Sequence, residues 1–393
     1  MSDLAIGADQ ARAPAPGLRV ILREWGRIGC IGFGGPPAHI ALLRELCVTR
    51  RRWLDDLEFE DAIAATNLLP GPASTQLAIY CAWRLRGIPG ALLGGFAFIV
   101  PGLVLILALA ALFLADSPPE WVLGAGAGAG AAVAAVALHA AAALAPASFR
   151  RTASRPRWVV YALAGATSAA TVGAWLVLVL LACGAIELVL RRMQTGAGLT
   201  GVHAWPLLAA TGAASGGLLA LAWVAFKVGA LSYGGGFVII PLMQHDAVDT
   251  YHWMTDGQFL NAVALGQVTP GPVVQTVAVV GYAAAGIGGG LLAAAVAFAP
   301  SFSFILIGAE RFDRLRANRN VRGFLDGAGP AAIGAIAGAA IPLALALSES
   351  WQVAILAATA VTLFVARRGV VFTLIAAGAA GVIAGLLGAP LPS

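Results

Sequence analysis

The chain has 393 residues, of which 60% are hydrophobic and 11% charged, with a formal net charge of +5. A soluble domain carries roughly 25% charged residues, and the mean hydropathy here is +0.86, so the composition excludes an ordinary soluble protein and fits a polytopic membrane protein. The apolar runs are long and do not alternate as barrel strands do, which leaves an all-α fold; the arginines lie in short loops between runs, which gives no basic face for nucleic acid.

The first twenty residues hold Asp3, Asp9, Arg12 and two prolines without an apolar core of signal-peptide length, so no cleaved signal is expected. Residues 11–27 carry Arg12, Arg19, Arg23 and Arg27, and a basic amphipathic helix on the cytoplasmic membrane surface is expected there. Residues 28–43 follow, an apolar segment of about 24 Å against a hydrocarbon core of roughly 30 Å, interrupted by GGPP. A charged loop leads to a second interrupted segment, 62–83, which contains LPGP. Ordinary apolar runs come next at 88–114 and 121–144, then a basic loop at 150–157. The run at 158–190 is long enough for two helices dividing near Val172 and Gly173. A polar linker at 193–205 precedes one spanning helix, 206–226, with no counterpart before the first motif. The GGG and PGP segments then return, followed by runs at 287–309, 324–347, 351–366 and 369–387.

Two stretches give this layout an internal order. GCIGFGGPPAHIALL at 29–43 returns as GALSYGGGFVIIPLM at 229–243, and NLLPGPASTQ at 67–76 returns as QVTPGPVVQT at 267–276. Gly34/Gly234, Gly35/Gly235, Trp53/Trp253, Phe59/Phe259, Pro70/Pro270 and Gly71/Gly271 keep one offset of 200, the mark of a duplicated unit. The chain is therefore divided into a cytoplasmic segment 1–27, a first repeat 28–192, a linker with the unpaired helix 193–226, and a second repeat 227–393. Charge orients the repeats. Residues 44–57 and 82–90 carry six arginines, whereas 244–257 and 282–290 carry no Lys or Arg; at 113–121 and 310–322 the bias reverses. By the positive-inside rule two homologous halves in inverted topology are expected, with the unpaired helix supplying the odd crossing, the N-terminus cytoplasmic and the C-terminus periplasmic. If the broken segments all cross, there are thirteen spans; if each enters and returns, there are nine, and the arginines on both flanks of 28–43 favour return.

A helix broken at membrane depth leaves backbone N–H and C=O groups unpaired, at a cost of several kcal/mol each unless protein, water or a ligand satisfies them. A half-helix that starts there aims free N–H groups and a positive dipole end at its surroundings, which suits an anion. Gly34, Gly35 and Pro36 in one copy, and Tyr233, Gly234, Gly235 and Gly236 in the other, are expected to line such a site. The second motif adds Asn67, Pro70, Gly71, Pro72, Ser74 and Gln76, and its copy adds Gln267, Thr269, Pro270, Gly271, Pro272 and Gln275, with Pro72 and Pro272 fitting the first turn of a half-helix. The alternative is that the glycines are packing contacts and the prolines kinks. Arg27 and Lys227 stand two residues before Gly29 and Gly229, as substrate cations or as snorkelling side chains. His39, Glu58 and Asp61 are candidates for proton coupling; a packing histidine and solvated loop carboxylates are the competing readings. Asp56 and Asp256 read as helix caps beside interfacial Trp53 and Trp253. Cys30, Cys47, Cys81 and Cys183 lack metal or redox spacing and read as packing residues.

At GFGGPPAHI, LLPGPASTQ, SYGGGF and TPGP the sequence resembles the chromate ion transporter family in its long two-domain form. The resemblance implies a bacterial plasma-membrane protein that exports chromate, driven by the proton gradient, and it implies thirteen spans with opposed halves. Its ligands are then chromate or a sulfate-like dianion and protons, in a lipid bilayer and without a cofactor; a homodimer is left open. Uptake or exchange of sulfate or another tetrahedral oxyanion is the alternative function, and a non-transporting scaffold a remote one. An enzyme is not expected, because HExxH, GxSxG and nucleotide-loop patterns are missing.

Overall fold

Two short helices, α1 (Leu18–Ile31) and α2 (Pro36–Arg44), form around the first break, and each is too short to cross a bilayer. Glu24 in α1 lies 2.6 Å from Arg50 and 2.7 Å from Arg51, at the end of the π-helical turn Glu45–Arg50 that extends α2. The outer ends of the segment therefore sit together, and residues 32–35 form its far tip. The second motif repeats the device. Glu58, in the first turn of α3 (Asp56–Thr66), lies 2.6 Å from Arg84 in α4 (Ala73–Phe113), so the PGP residues are a second tip.

Helix α4 reverses at Arg86 and Gly87, where Gly87 has φ +58. Its arms, 73–85 and 88–113, run side by side, since a Cβ on Gly90 would lie 2.3 Å from the Ala82 carbonyl oxygen. The remaining helices are α5 (Glu120–Arg151), α6 (Arg155–Thr171), α7 (Leu176–Gln194), α8 (Leu218–Leu231), α9 (Ile240–Gln244), α10 (Asp256–Val268), α11 (Thr276–Gly308), α12 (Arg319–Leu345), α13 (Ser350–Ala360) and α14 (Val370–Leu386). In this computed structural model residues 14–67, 69–152, 154–171, 176–194, 217–232, 237–309 and 318–391 are described, and among them there is no strand.

The duplication is legible down to single dihedral angles. Gly71 and Gly271 have φ +116 and +105, Gly87 and Gly286 have +58 and +63, and Arg52 and His252 both have +51. Arg52 and His252 follow matching π-helical turns and close them with the same bond, Trp53 N–H to Cys47 O and Trp253 N–H to Ala247 O, each 2.8 Å. This is the left-handed C-terminal stop of a helix, made without glycine.

Four expectations are corrected. The helix expected at 206–226 without a counterpart runs, in its described part, over Leu218–Leu231, which is α1 moved by 200 residues. It continues past Lys227 because Asp246 neutralises that cation at 2.6 Å. The surface helix expected at 11–27 is instead α1, which ends at Ile31 and packs Ile21, Trp25 and Ile28 into the core. The N-caps are Asp55 and Thr255, one residue before Asp56 and Asp256, because their side chains accept the amide hydrogens of Glu58 and Gln258. Pro72 and Pro272 are N-cap residues rather than members of the first turn. The division expected near Val172 and Gly173 falls between α6 and α7; residues 172–175 lie outside the described set.

The two halves interlock through their long helices. The second arm of α4 runs antiparallel to the second arm of α11, residues 287–308: a Cβ on Gly95 would lie 2.4 Å from the Phe302 ring and one on Gly290 would lie 2.5 Å from Leu107. On the flanks, α6 packs on α12 with Gly334 against Ala162 O and Gly338 against Ala166 O, and α5 packs on α14 with Gly128 against Ala377 O. Small residues let these backbones approach, as in other membrane helix pairs. Among the described residues, four helices, including the α4 and α11 units, are long and apolar enough to cross a membrane. This is an all-α polytopic membrane fold.

The folding back of α1 onto α2 yields a direct test. With exposed Cys30 replaced, single cysteines at the exposed positions Arg19 and Thr49 will both react with a membrane-impermeant maleimide from one face of sealed vesicles. Labelling from opposite faces would mean that the segment crosses.

Candidate substrate site

The tips of the hairpins meet across the two halves. The Gly271 N–H donates to the Gly32 carbonyl oxygen at 3.0 Å, joining the PGP tip of the second half to the glycine tip of the first. His39 fixes the first tip from within: its Nε2 lies 2.8 Å from the same Gly32 oxygen and its Nδ1 lies 3.1 Å from Ser74 Oγ at the neighbouring PGP tip. The ring is fully buried and stands edge-on to Phe98. An imidazole donating through Nε2 and accepting from the Ser74 hydroxyl satisfies both contacts in the neutral tautomer.

Glycine is required at the turns for a stated reason. Gly34 has φ +97, and Gly35, at φ +72 and ψ −156, occupies a region open essentially to glycine alone. Pro36 then starts α2 at its first position, where its missing N–H costs nothing. In the second tip the Gln76 amide donates to Pro70 O at 2.7 Å; in its copy the Gln275 amide crosses to the other half and donates to Ile99 O at 2.8 Å. Helices therefore begin at both PGP tips, presenting their first amides to the centre.

What distinguishes this centre is a set of buried polar atoms without a hydrogen-bond partner. Thr75 Oγ1, Gln76 Oε1, Ser232 Oγ, Gln267 Nε2, Gln275 Oε1 and Ser301 Oγ all belong to it. Their residues range from 0% to 8% exposed. An unsatisfied buried polar group costs about 1–3 kcal/mol, so such a cluster is expensive unless it serves a polar guest. Sequence reasoning named Gln76, Gln267 and Gln275 but missed Thr75, Ser232 and Ser301. Thr75 was in view inside the motif; Ser301 lies outside both motifs, where its repeat mate is Gly102 and no pattern marks it.

The other expected residues are distributed unevenly. Thr269 is buried and bonds back to Leu265 O. Asn67 and Pro70 are exposed at the rim of the first PGP tip. Glu58 is held by Arg84 at the outer end of its hairpin, and Asp61 is half-buried midway along α3. Arg27 is exposed on α1, whereas Lys227 is half-buried against Asp246. Tyr233, Gly234, Gly235 and Gly236 lie outside the described residues. No group of His, Cys, Asp and Glu able to hold a metal occurs among the described residues.

A family model described as Chromate transporter matches residues 20–188 and again 219–382, one match for each half. The chain belongs to the chromate transporter family. It is 34% identical over 389 residues to a chromate transport protein of Cupriavidus metallidurans, covering 96% of this chain and 95% of that one. It is 30% identical to a chromate transport protein of Pseudomonas aeruginosa over 82% of this chain and 80% of the relative, and 29% identical to a probable chromate transport protein of Synechococcus elongatus over 84% and 85%. No solved structure matches. The two family matches begin within α1 and α8, so the family unit includes the first hairpin helix of each half.

The close approach of the halves at the tips has a measurable consequence. A Cβ on Gly102 would lie 1.9 Å from Pro270 O, whereas one on Gly288 meets nothing within 4 Å. Gly102→Ala is expected to lower the melting temperature of this family member in detergent, through an overpacking cost of about 1–3 kcal/mol, while Gly288→Ala leaves it close to wild type. Equal melting temperatures would show that the halves do not touch there.

Proposed function

We propose that the protein is a secondary transporter that exports chromate across a bacterial plasma membrane, with its halves inserted in opposite orientations and its cycle coupled to the proton gradient. The observation that carries this reading is the joining of broken segments from both halves at Gly32 and Gly271 beside unpartnered buried hydroxyls and amides. Paired broken helices of this kind hold the substrate of inverted-repeat transporters. The chromate transport proteins similar over most of this chain supply the substrate.

Opposed insertion has two independent supports. The arginine bias reverses between the halves, and the equivalent second arms of α4 and α11 run antiparallel. On this reading the tip hairpins enter and return. The crossings are then four in each half, made by the second arm of α4 or α11 and the three helices after it. Residues 195–216, between α7 and α8, lie outside the described set. Proton coupling is assigned to His39, the member of the expected trio whose side chain bonds to both tips of the first half. Glu58 and Asp61 remain on the hairpin flank.

Sulfate uptake or exchange is the second reading. It is favoured by the neutral character of the unpartnered donors, the Thr75, Ser232 and Ser301 hydroxyls and the Gln267 amide Nε2, since such groups distinguish poorly between two tetrahedral dianions of similar shape. Everted vesicles containing the protein are expected to accumulate chromate above control vesicles, to lose the accumulation with a protonophore, and to lose most of it on Gly35→Ala. Vesicles indistinguishable from the control would end the chromate reading; equal flux of sulfate driven inward in right-side-out vesicles would favour the second.

A further inference from the structure

The repeat makes two equivalent places at the centre, one where the PGP tip of each half meets the second long arm of the other. They are not alike. At the tip of the second half the place is filled: Gly102 of α4 stands opposite, and a Cβ there would lie 1.9 Å from Pro270 O and 2.6 Å from Gln275 Oε1. Gln275 closes it further by donating across to Ile99 O at 2.8 Å. At the tip of the first half, the residue opposite is Ser301 of α11, the repeat mate of Gly102. Its Oγ lies 3.4 Å from the Cβ position of Gly71, as does the Gly229 carbonyl oxygen, while Gln76 Nε2, which donates to Pro70 O, lies nearer at 2.6 Å. Thr75, in the first turn of the α4 arm that begins at this tip, carries the nearest hydroxyl in sequence after Ser74, which is bonded to His39. Thr75 Oγ1 and Ser301 Oγ both lack a partner, and both residues are 0% exposed.

We infer that the oxyanion binds off the pseudo-symmetry axis, at the first-half tip, with the hydroxyls of Thr75 and Ser301 donating to it alongside the first amides of the α4 arm. This rests on the transporter reading above and adds to it the side of the centre and two specificity-determining residues, one from each half. The chemistry is consistent. A hydroxyl carries one donor that rotates to suit, a helix start presents free N–H groups, and hydrogen bonds to a charged oxygen are roughly twice as strong as neutral ones. Both hydroxyls are available for this because neither is committed to the protein. Ser74 is committed, to His39. Thr276, the repeat mate of Gln76, is committed as well, donating to Val273 O at 2.8 Å. A ligand held by both halves at once also gives the opposed repeats a reason to move relative to each other when it leaves.

The test is chromate flux in proteoliposomes for Thr75→Val, Thr75→Ser and Ser301→Ala, with Ser303→Ala as control because Ser303 is exposed and bonds its own helix at Ala299 O. Thr75→Val and Ser301→Ala should each raise KM for chromate about tenfold, the loss of one hydrogen bond to a charged group, with yield and melting temperature near wild type. Thr75→Ser, which restores the hydroxyl, should return KM to within a few-fold, and Ser303→Ala should leave it unchanged. Wild-type protein without chromate flux would overturn the transporter reading itself. Wild-type flux with unchanged KM in Thr75→Val and Ser301→Ala would overturn this assignment alone, and so would a KM for Thr75→Ser as poor as that for Thr75→Val.

Discussion

The hydrogen bond from Gly271 N–H to Gly32 O is the contact on which the rest of the structure turns. A chain broken inside a low-dielectric interior has backbone groups that must find partners, and here each half uses the other half's break to satisfy part of its own. Glycine is needed because the backbones must touch. It stands at Gly29 and Gly229 too, where α1 and α8 press on the carbonyls of Phe98 and Ala297. The ionic ties of Glu24 to Arg50 and Arg51 and of Glu58 to Arg84 join the two arms of each hairpin in the first half. Fold and site are therefore one construction.

The duplication, the all-α class and the two breaks were legible because each leaves a mark in residue type. Gly35 and Gly71 hold positive φ angles that favour glycine, and Pro72 stands at the N-cap from which α4 starts. Helix limits were legible to within a few residues where an apolar run ended in charge. They failed where a charge was neutralised inside the fold. Lys227 looked like the end of a membrane helix, yet Asp246 takes up its charge and α8 continues to Leu231. In the first half, Arg19, Arg23 and Arg27 made α1 read as a surface helix, yet its other face buries Trp25 and a Glu24 that is 5% exposed between Arg50 and Arg51. Ion pairs closed by chain reversal are contacts between distant residues, which hydropathy along the chain does not register.

Part of the site escaped for a different reason. Ser301 and Ser232 become significant only when the halves are assembled and their hydroxyls are found without a partner. Motif reading finds residues whose backbone role restricts them to one type; it passes over a serine in an apolar helix, where bonding to its own backbone is the ordinary outcome, as for Ser303. The contrast between Ser301 and Ser303, two residues apart on one helix, is a matter of which face meets the other half.

The asymmetry between the halves bears on the proposed transport cycle. An inverted repeat with identical halves has two conformations of equal energy, related by exchange of the halves, and no intrinsic preference for either. Sequence differences between the halves remove that equality here. The differences here fall at the tips: His39 faces Ile239 in the copy, Gln275 faces Thr75, and Ser301 faces Gly102. His39 ties Gly32 to Ser74 and Gln275 ties its tip to Ile99, so each side is locked by a different bond. A polar guest or a proton that engages one of these locks has a different interaction energy with the two conformations, and that difference is the only way a ligand shifts such an equilibrium. Under the proposed cycle the coupling chemistry falls to the residues that break the repeat, and the residues that preserve it build the frame in which they act.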